Sequence, residues 1–431
     1  MLTSPALPSA FAGQAVLCQD QPATIVGDPT ITYLEGTDSD DVVVTAGSSI
    51  VWGLAGNDLI CITGDTGEVH AGGGDDRVAS DDDTQAGTRV TLGSGDDTFA
   101  GGARRDGVMQ GPGDDLVTTG DGNDSYGSYY GRYDRPPAGS VGDEVSLGAG
   151  DDWVTSAFTR LAAPIDGGTG VNHLEVWDGF SNHGKTMQVD NVAETVTIEE
   201  AVWFSWDNFT TFEFSTEARV SFVGSDAAEN LTAYEVEGTG PAIGGRWELG
   251  AGDDRLFVQN VAGHVDGGPG TDRIHVQRRV FSDVPTDALG HRVVLDLAKG
   301  VLHFGQVSKE YRVRGIEDAA VSGFRAGTLR GNGHANNLRV EPACFARVFG
   351  GAGDDRLHSS RARDCLVREG ADPGSRHAVK LRGQTGDDVL IGAVTADLLV
   401  GGGGSDSVYG RLGRDTCDAE VQTSCEREWT S

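Results

Sequence analysis

Aspartates that close glycine-rich turns recur along this chain, as in Leu-Gly-Ser-Gly-Asp-Asp-Thr-Phe at 92–99, Gln-Gly-Pro-Gly-Asp-Asp-Leu-Val at 110–117 and Leu-Gly-Ala-Gly-Asp-Asp-Trp-Val at 147–154. The arrangement returns at 249–256 (LGAGDDRL), 267–274 (GGPGTDRI), 350–357 (GGAGDDRL) and 401–408 (GGGGSDSV). The shared pattern is G-G-x-G-x-D-x-U-x, where U is a large apolar residue. Glycine reaches positive φ and lets backbones come close, so six residues can turn sharply with their carbonyl oxygens aimed at one point. The aspartate adds a hard anionic oxygen. A cage of carbonyls and carboxylates at roughly 2.3–2.6 Å suits Ca²⁺ far better than a transition metal. The candidate ligands are Asp58, Asp76, Asp97, Asp115, Asp124, Asp152, Asp254, Asp272, Asp355, Asp388, Asp406 and Asp415.

Such corners must be joined by short strands. Two places after the aspartate an apolar residue arrives each time: Ile60, Val78, Phe99, Val117, Tyr126, Val154, Leu256, Ile274, Leu357, Leu390 and Val408. This predicts a short strand after each corner, with the apolar side chain pointing inward. Asp58 to Asp76, Asp97 to Asp115, Asp254 to Asp272 and Asp388 to Asp406 are each 18 residues apart, or two nonapeptides. One coil of a solenoid therefore takes 18 residues, and these aspartates stack on one edge. Asp115 to Asp124 and Asp406 to Asp415 are 9 apart, which puts the second of each pair on the opposite edge. Asp76 to Asp97 is 21, a coil with a three-residue bulge. Ions are expected between successive same-edge turns: 58 with 76, 76 with 97, 97 with 115, 254 with 272, and 388 with 406.

The composition fits a solenoid better than its rivals. The chain has 431 residues, 65 of them Gly, and a formal net charge of −33. That balance argues against a nucleic-acid or anionic-membrane partner, both of which need clustered positive charge. High net charge with few aromatics is also the signature of disorder. Recurrent β-branched runs such as Val42 to Thr45 and Val293 to Leu297 argue against it and read as strands. Residues 1–150 hold 24 acidic and 6 basic side chains, net −18, leaving −15 for the rest. Only four Lys occur, at 185, 299, 309 and 380. The first third cannot be compact in water unless something positive neutralises its carboxylates.

The turns resemble the repeat-in-toxin (RTX), or haemolysin-type, calcium-binding family. The resemblance implies an all-β fold, a right-handed parallel β-roll or β-helix solenoid with Ca²⁺ between adjacent turns. Three further stretches carry it. Gln21 to Gly27 followed by Gly36-Thr-Asp-Ser-Asp-Asp-Val-Val is similar to the opening of secreted calcium-binding repeat proteins of actinobacterial type. Val294 to Gly300, with Gly315-Ile-Glu-Asp and Gly331 to Leu338, resembles the spacer that interrupts such arrays. Gly413 to Glu420, with Cys425 after it, is similar to their C-terminal cap.

Several turns depart from the pattern. Asn172 and Asn336 replace the ligand aspartate with a neutral oxygen. Asp41 has Ser39 in place of the fourth-position glycine, and Leu54, Gln384 and Arg411 replace the second. Asp152 and Asp355 lack a same-edge partner at 18 residues, so those turns read as solenoid geometry kept without a full metal site. Segments 175–245 and 277–347 break the array and look like copies of each other, continuing as wider β-helical coils. The expected organisation is a signal-peptide remnant at 1–12, an RTX β-roll at 13–174, an aromatic-rich β-helical spacer at 175–245, RTX repeats at 246–276, a second spacer at 277–347, and RTX repeats with a disulfide cap at 348–431.

The first spacer is rich in aromatics: Trp177, Trp203, Phe204, Trp206, Phe209, Phe212, Phe214 and Phe222. Core filling is the expectation, with a sugar-stacking platform as the alternative. Tyr126, Tyr129, Tyr130 and Tyr133 with Arg132 and Arg135 end at Pro136-Pro137 and read as an extruded loop suited to partner contact. No HExxH, GxSxG elbow or phosphate loop occurs, and the largest unassigned acidic run, Asp81 to Asp83, reads as a solvated loop. The six Cys form sequence-local pairs, Cys18 with Cys61, Cys344 with Cys365, and Cys417 with Cys425, though six cysteines permit fifteen connectivities. Disulfides imply an oxidising exterior. Met1 to Ala12 reads as the tail of a signal peptide, and no apolar stretch reaches the ~18 residues of a membrane-spanning helix. The expectation is a secreted, non-enzymatic calcium-ion-binding protein that folds on meeting Ca²⁺ outside the cell, with glycans or cell-surface components as candidate further partners. Alternatives are a β-helical polysaccharide-active enzyme (lyase, epimerase or hydrolase) and a calcium-dependent adhesin.

Overall fold

A computed structural model describes residues 15–428 except 81–86, 129–141, 158–163, 180–183, 217, 235–242, 260–261, 279–291, 306–309, 344, 362–378 and 426. The Met1–Ala12 segment, the Asp81–Asp83 run, the tyrosine-rich loop beyond Ser128 and the Cys344–Cys365 pair lie outside the described residues. Among the described residues every regular element is a strand, and the pairing is mostly parallel, in long stacked sheets. The chain forms two compact units, the first closing at Asn172 and the second opening at His173, apart from residues 156 and 157, which group with the second.

In the first unit the chain alternates between two sheets, so each coil contributes one strand to each. One sheet stacks Leu59–Ile62, Arg77–Ser80, Thr98–Ala100, Leu116–Thr118 and Glu144–Ser146 in parallel. Register places Ile60, Val78, Phe99, Val117 and Val145 in one column, and all are buried. The other sheet stacks Ile50–Trp52, Glu68–Gly73, Arg89–Ser94, Gly107–Gln110, Ser125–Ser128 and Trp153–Ala157. Its buried column is Val51, Val69, Val90, Val108, Tyr126 and Val154. Three- and four-residue strands leave room for one or two inward side chains each, so the core is a thin file of β-branched and aromatic residues. Every U residue predicted to point inward does so.

The second unit repeats this plan with a wider core. Leu174, Phe212, Leu231, Leu256, Ile274, Ala319, Leu338, Leu357, Leu390 and Val408 form one buried column. Six aromatics of the first spacer fill this interior: Phe204, Trp206, Phe209, Phe212, Phe214 and Phe222 are buried, joined by Trp247, whereas Trp203 is half-buried and the Trp177 side chain lies outside the described residues. Phe212 meets Phe222 edge-on at 5.5 Å and Phe214 lies 5.8 Å from Trp247. Offset and edge-on contacts at these distances add attraction beyond the area they bury.

The spacers are wider for a reason that differs from the expected broad coil. Each makes an antiparallel excursion out of the parallel stack. Thr186–Asp190 pairs with Thr195–Ile198 and that strand with Ala201–Asp207, all antiparallel, while Thr186–Asp190 also runs parallel to Arg219–Val223. The second spacer does the same with Arg292–Asp296, Val301–Phe304 and Tyr311–Arg314, and Arg292–Asp296 pairs in parallel with Ala326–Arg330. The two spacers share this topology, as their matching sequence offsets suggested.

Disulfides close the ends. Cys18 joins Cys61 and Cys417 joins Cys425, with Cα separations of 5.6 and 6.0 Å. Both pairings are those expected from sequence proximity.

Candidate metal centres

Each corner delivers its aspartate to the residue just before a strand, and stacking of the coils lines these aspartates into rows. In the first row the backbone N–H of each residue donates to Oδ1 of the next coil's aspartate. Asp41 bonds Asp58 at 2.8 Å, Asp58 bonds Asp76 at 2.8 Å, and Asp76 bonds Asp97 at 2.8 Å. Asp97 then bonds Asp115 at 3.0 Å, and Asp115 bonds Asp143 at 3.0 Å. On the opposite edge the row runs Asp106, Asp124, Asp152, Asn172, at 2.7, 2.7 and 3.1 Å.

In the second unit Glu229 bonds Asp254 at 2.7 Å, Asp254 bonds Asp272 at 2.9 Å, and Asp272 bonds Glu317 at 2.8 Å. Farther along, the links Asn336 to Asp355, Asp355 to Asp388, Asp388 to Asp406 and Asp406 to Glu420 measure 2.8, 2.8, 2.9 and 2.8 Å. Asp397 bonds Asp415 at 2.9 Å in a further row.

The predicted 18- and 21-residue stackings are therefore all present. Asp152 and Asp355, read as lacking a same-edge partner, do have one: 28 residues separate Asp124 from Asp152 and 33 separate Asp355 from Asp388. The extra residues between these corners leave the strand register intact.

The other carboxylate oxygen has no such donor. Oδ2 of Asp58, Asp76, Asp97, Asp106, Asp124, Asp152, Asp254, Asp272, Asp355, Asp388 and Asp406 is buried without a hydrogen-bond partner. In an ordinary interior an orphaned anionic oxygen costs several kcal/mol. Asp115 and Asp143 are different, since Oδ2 of Asp115 lies 3.5 Å from the Gly111 N–H and the Tyr126 hydroxyl reaches Oδ2 of Asp143 at 3.2 Å.

The orphaned oxygens sit beside backbone carbonyls. A Cβ placed on Gly53, five residues before Asp58, would lie 2.5 Å from Asp58 Oδ2 and 2.1 Å from the Ala71 carbonyl of the next coil. At Gly383 it would lie 2.0 Å from Asp388 Oδ2 and 2.6 Å from the Gly401 carbonyl. The first glycine thus keeps clear a space lined by acceptors and reached by no donor.

Asn172 shows what that space demands when no charge is present. Its Oδ1 holds the row position, and its Nδ2 donates to the Gly167 carbonyl five residues earlier, at 2.8 Å. Asn336 is turned the other way: its Nδ2 donates to the Glu317 carbonyl of the preceding coil at 2.7 Å, while its Oδ1 lies beside Gly331 and accepts from the Asn332 N–H at 2.9 Å. At the Asn172 turn an amide supplies a donor where the aspartates present a second anionic oxygen, so an aspartate turn needs either a proton or a cation there. Hard oxygen ligands of this kind fit Ca²⁺. Among the described residues no three His, Cys, Asp or Glu side chains gather at one point. An ion held at these corners would draw its remaining oxygens from the backbone.

Burial penalises the charged form along the rows. It is the largest cause in pushing Asp76, Asp97, Asp115 and Asp355 up to about 7 and Asp58, Asp152, Asp272 and Asp388 up to about 6, with neighbouring carboxylates adding to it and the row's N–H bonds opposing it. Burial, with the Glu229 carboxylate as a further contribution, takes Asp254 to about 8. Groups shifted this far lose protons readily to a divalent ion.

Sequence reasoning missed Asp106, Asp143, Glu229, Glu317, Asp397 and Glu420, which hold row positions without the full glycine pattern. A usable signal was present in Asp106-Gly-Val108, Asp143-Glu-Val145 and Glu229-Asn-Leu231: an acid two residues before an inward apolar side chain. It also left the fifth position of the repeat unassigned. There Asn57, Asp75 and Asp96 form an outer row in which side-chain Oδ1 accepts from the next coil's N–H, at 2.9 Å for Asp75, 3.0 Å for Asp96 and 3.0 Å for Asp114. The two rows clamp adjacent coils in opposite senses.

No curated protein matches the chain. The RTX calcium-binding nonapeptide repeat matches in four copies, over residues 36–61, 347–366 and 382–417. Those stretches include the corners of Asp41, Asp58, Asp355, Asp388, Asp406 and Asp415. With stacked parallel coils and glycine-aspartate corners on both edges, the chain carries the calcium-binding nonapeptide repeat of the RTX family.

Proposed function

We propose that this is a secreted, non-enzymatic calcium-binding protein whose coils fold around Ca²⁺ once outside the cell. Asp58, Asp76, Asp97, Asp115, Asp124, Asp152, Asp254, Asp272, Asp355, Asp388, Asp406 and Asp415 supply carboxylate oxygens, and carbonyls of neighbouring turns supply the rest. The observation that carries this reading is the buried Oδ2 set against a carbonyl with no donor, beside the Asn172 turn where an amide fills the same place. A divalent ion there replaces the proton each corner would otherwise need, and its binding energy becomes folding energy. The two disulfides suit an extracellular site of action. Six of the eight aromatics that a polysaccharide cleft would expose, Phe204, Trp206, Phe209, Phe212, Phe214 and Phe222, are packed inside the second unit, which weighs against the enzymatic alternative.

Circular dichroism of the full chain in EDTA and then in millimolar CaCl₂ tests the reading, with MgCl₂ and NaCl as controls. A coil-to-β transition specific to calcium is expected. Equal β content in EDTA and calcium would defeat calcium-driven folding, and absence of calcium binding in equilibrium dialysis would defeat the reading altogether.

A further inference from the structure

The turn Gly224-Ser-Asp-Ala-Ala-Glu229 in the aromatic spacer lacks the repeat's second and fourth glycines and its aspartate, and lies outside the matched repeats. It nevertheless builds a corner. Glu229 is fully buried, and its N–H donates to Asp254 Oδ1 at 2.7 Å. Glu229 Oε1 is saturated by protein donors: the Ser225 N–H and Asn191 Nδ2, each at 2.9 Å, and the Ser225 hydroxyl. Asn191 is itself held by the Trp206 indole N–H at 3.1 Å.

Glu229 Oε2 has no hydrogen-bond partner, and neither has Asp254 Oδ2. Both carboxylates are fully buried. A Cβ on Gly224 would lie 1.8 Å from the Leu249 carbonyl and 3.1 Å from Glu229 Oε2, so this glycine keeps open the same kind of space as Gly53 does. The longer glutamate side chain reaches that space from a turn that keeps only the first of the repeat's glycines.

We propose that Glu229, Asp254 and the Leu249 carbonyl hold a calcium ion, making the aromatic spacer a metal-binding coil and not only an insertion between repeats. This rests on the calcium reading of the aspartate rows and extends it to a turn the nonapeptide pattern does not reach. Two carboxylates offer a formal charge of −2 and hard oxygen donors, which matches a divalent ion of the calcium type. The competing account is a single proton shared between the two acids. The Asn191–Trp206 link also ties the site to the aromatic core, so filling it would brace the excursion strand Ala201–Asp207.

The test counts calcium ions bound per full-length chain at neutral pH by native mass spectrometry, for wild type, Glu229→Gln and Asp97→Asn. Gln at 229 keeps the acceptor for Ser225 and Asn191 and can donate its amide as Asn172 does. The expected result is one ion fewer in Glu229→Gln than in wild type. If Glu229→Gln binds as many ions as wild type while Asp97→Asn binds fewer, the inference is overturned and the reading of the aspartate rows survives. If wild type binds no calcium, both fall.

Infrared spectroscopy of calcium-saturated wild type decides the matter should the variant not fold. The proposal expects no buried protonated-carboxyl band at neutral pH, and such a band would overturn it.

Discussion

Leu54, Gln384 and Arg411 hold φ of 82°, 87° and 74°, a left-handed conformation that the repeat ordinarily gives to glycine. Each side chain is exposed, so no packing is returned for the strain. A non-glycine residue in this region costs about 1–2 kcal/mol, while glycine's extra freedom in the unfolded chain costs about 0.4–1 kcal/mol. The strain outweighs that freedom. Gln384→Gly is therefore expected to raise stability by about 1 kcal/mol in calcium-saturated chemical denaturation; a loss of stability would show that this φ is unstrained.

Gly402 gives the opposite case. It has φ of 127°, and an added Cβ would lie 2.1 Å from the Gln384 carbonyl, so Gly402→Ala is expected to cost well over the ~1 kcal/mol of an ordinary loop Gly→Ala exchange. For the acid itself, Asp97→Asn keeps the acceptor that the Asp76 N–H needs and removes a buried charge. Calcium stoichiometry should fall while β content in EDTA rises, as dialysis and circular dichroism would read. The departures at Asn172 and Asn336 were visible in the sequence. Their consequence was not, because residue types alone do not say that Asn172 faces the Gly167 carbonyl of its own turn while Asn336 faces the Glu317 carbonyl of the coil before.

At the scale of strands and coils, the 18-residue spacing was legible because a coil of two nonapeptides is fixed by local geometry: turn, three-residue strand, turn, strand. Ile60, Val78 and Phe99 announce their inward direction by standing two places after an aspartate. The links from Asp124 to Asp152 and from Asp355 to Asp388 were not legible, since an inserted stretch carries no period and leaves register unmarked. The antiparallel excursions escaped for a related reason: Thr186–Asp190 alternates apolar and polar residues and Arg292–Asp296 carries an apolar run, as strands of either kind do, and neither pattern tells parallel from antiparallel pairing.

What the aromatic file contributes can be measured. Phe214 packs against Phe212, Phe222 and Trp247, at 6.4, 6.1 and 5.8 Å, and is fully buried. Phe214→Ala should cost about 3–5 kcal/mol, from the apolar surface no longer buried and the cavity left behind. The loss should appear in denaturant unfolding with saturating calcium, and a cost below about 1 kcal/mol would mean the aromatic file is not a core. The Cys18–Cys61 disulfide closes a 43-residue separation, for which loop-closure entropy gives about 4 kcal/mol. Replacing both cysteines by serine tests that figure under the same conditions.

Over the whole molecule, −33 charges and rows of buried carboxylates make folding a competition among repulsion, protons and calcium. The unfolded chain's aspartates titrate near ~3.9, whereas burial lifts Asp58 and Asp152 to about 6 and Asp76, Asp97 and Asp355 to about 7. Between those values the folded, metal-free chain binds more protons than the unfolded one. Its stability therefore falls as pH rises across that window. Calcium needs the deprotonated oxygens, so its affinity moves the other way, rising with pH and levelling off once the rows are ionised.

Without calcium, β content by circular dichroism should decline from about pH 5 to about pH 8. With millimolar calcium it should stay flat, and calcium titrations in a weak buffer near about pH 6 should release protons. Sodium chloride should not substitute, because screening acts on exposed charges and reaches buried pairs much less. Metal-free order that grew with pH, or calcium uptake without proton release in that titration, would mean that the row carboxylates are already ionised in the folded chain. Calcium would then screen an existing polyanion, and it would not be taking the place of protons at the corners.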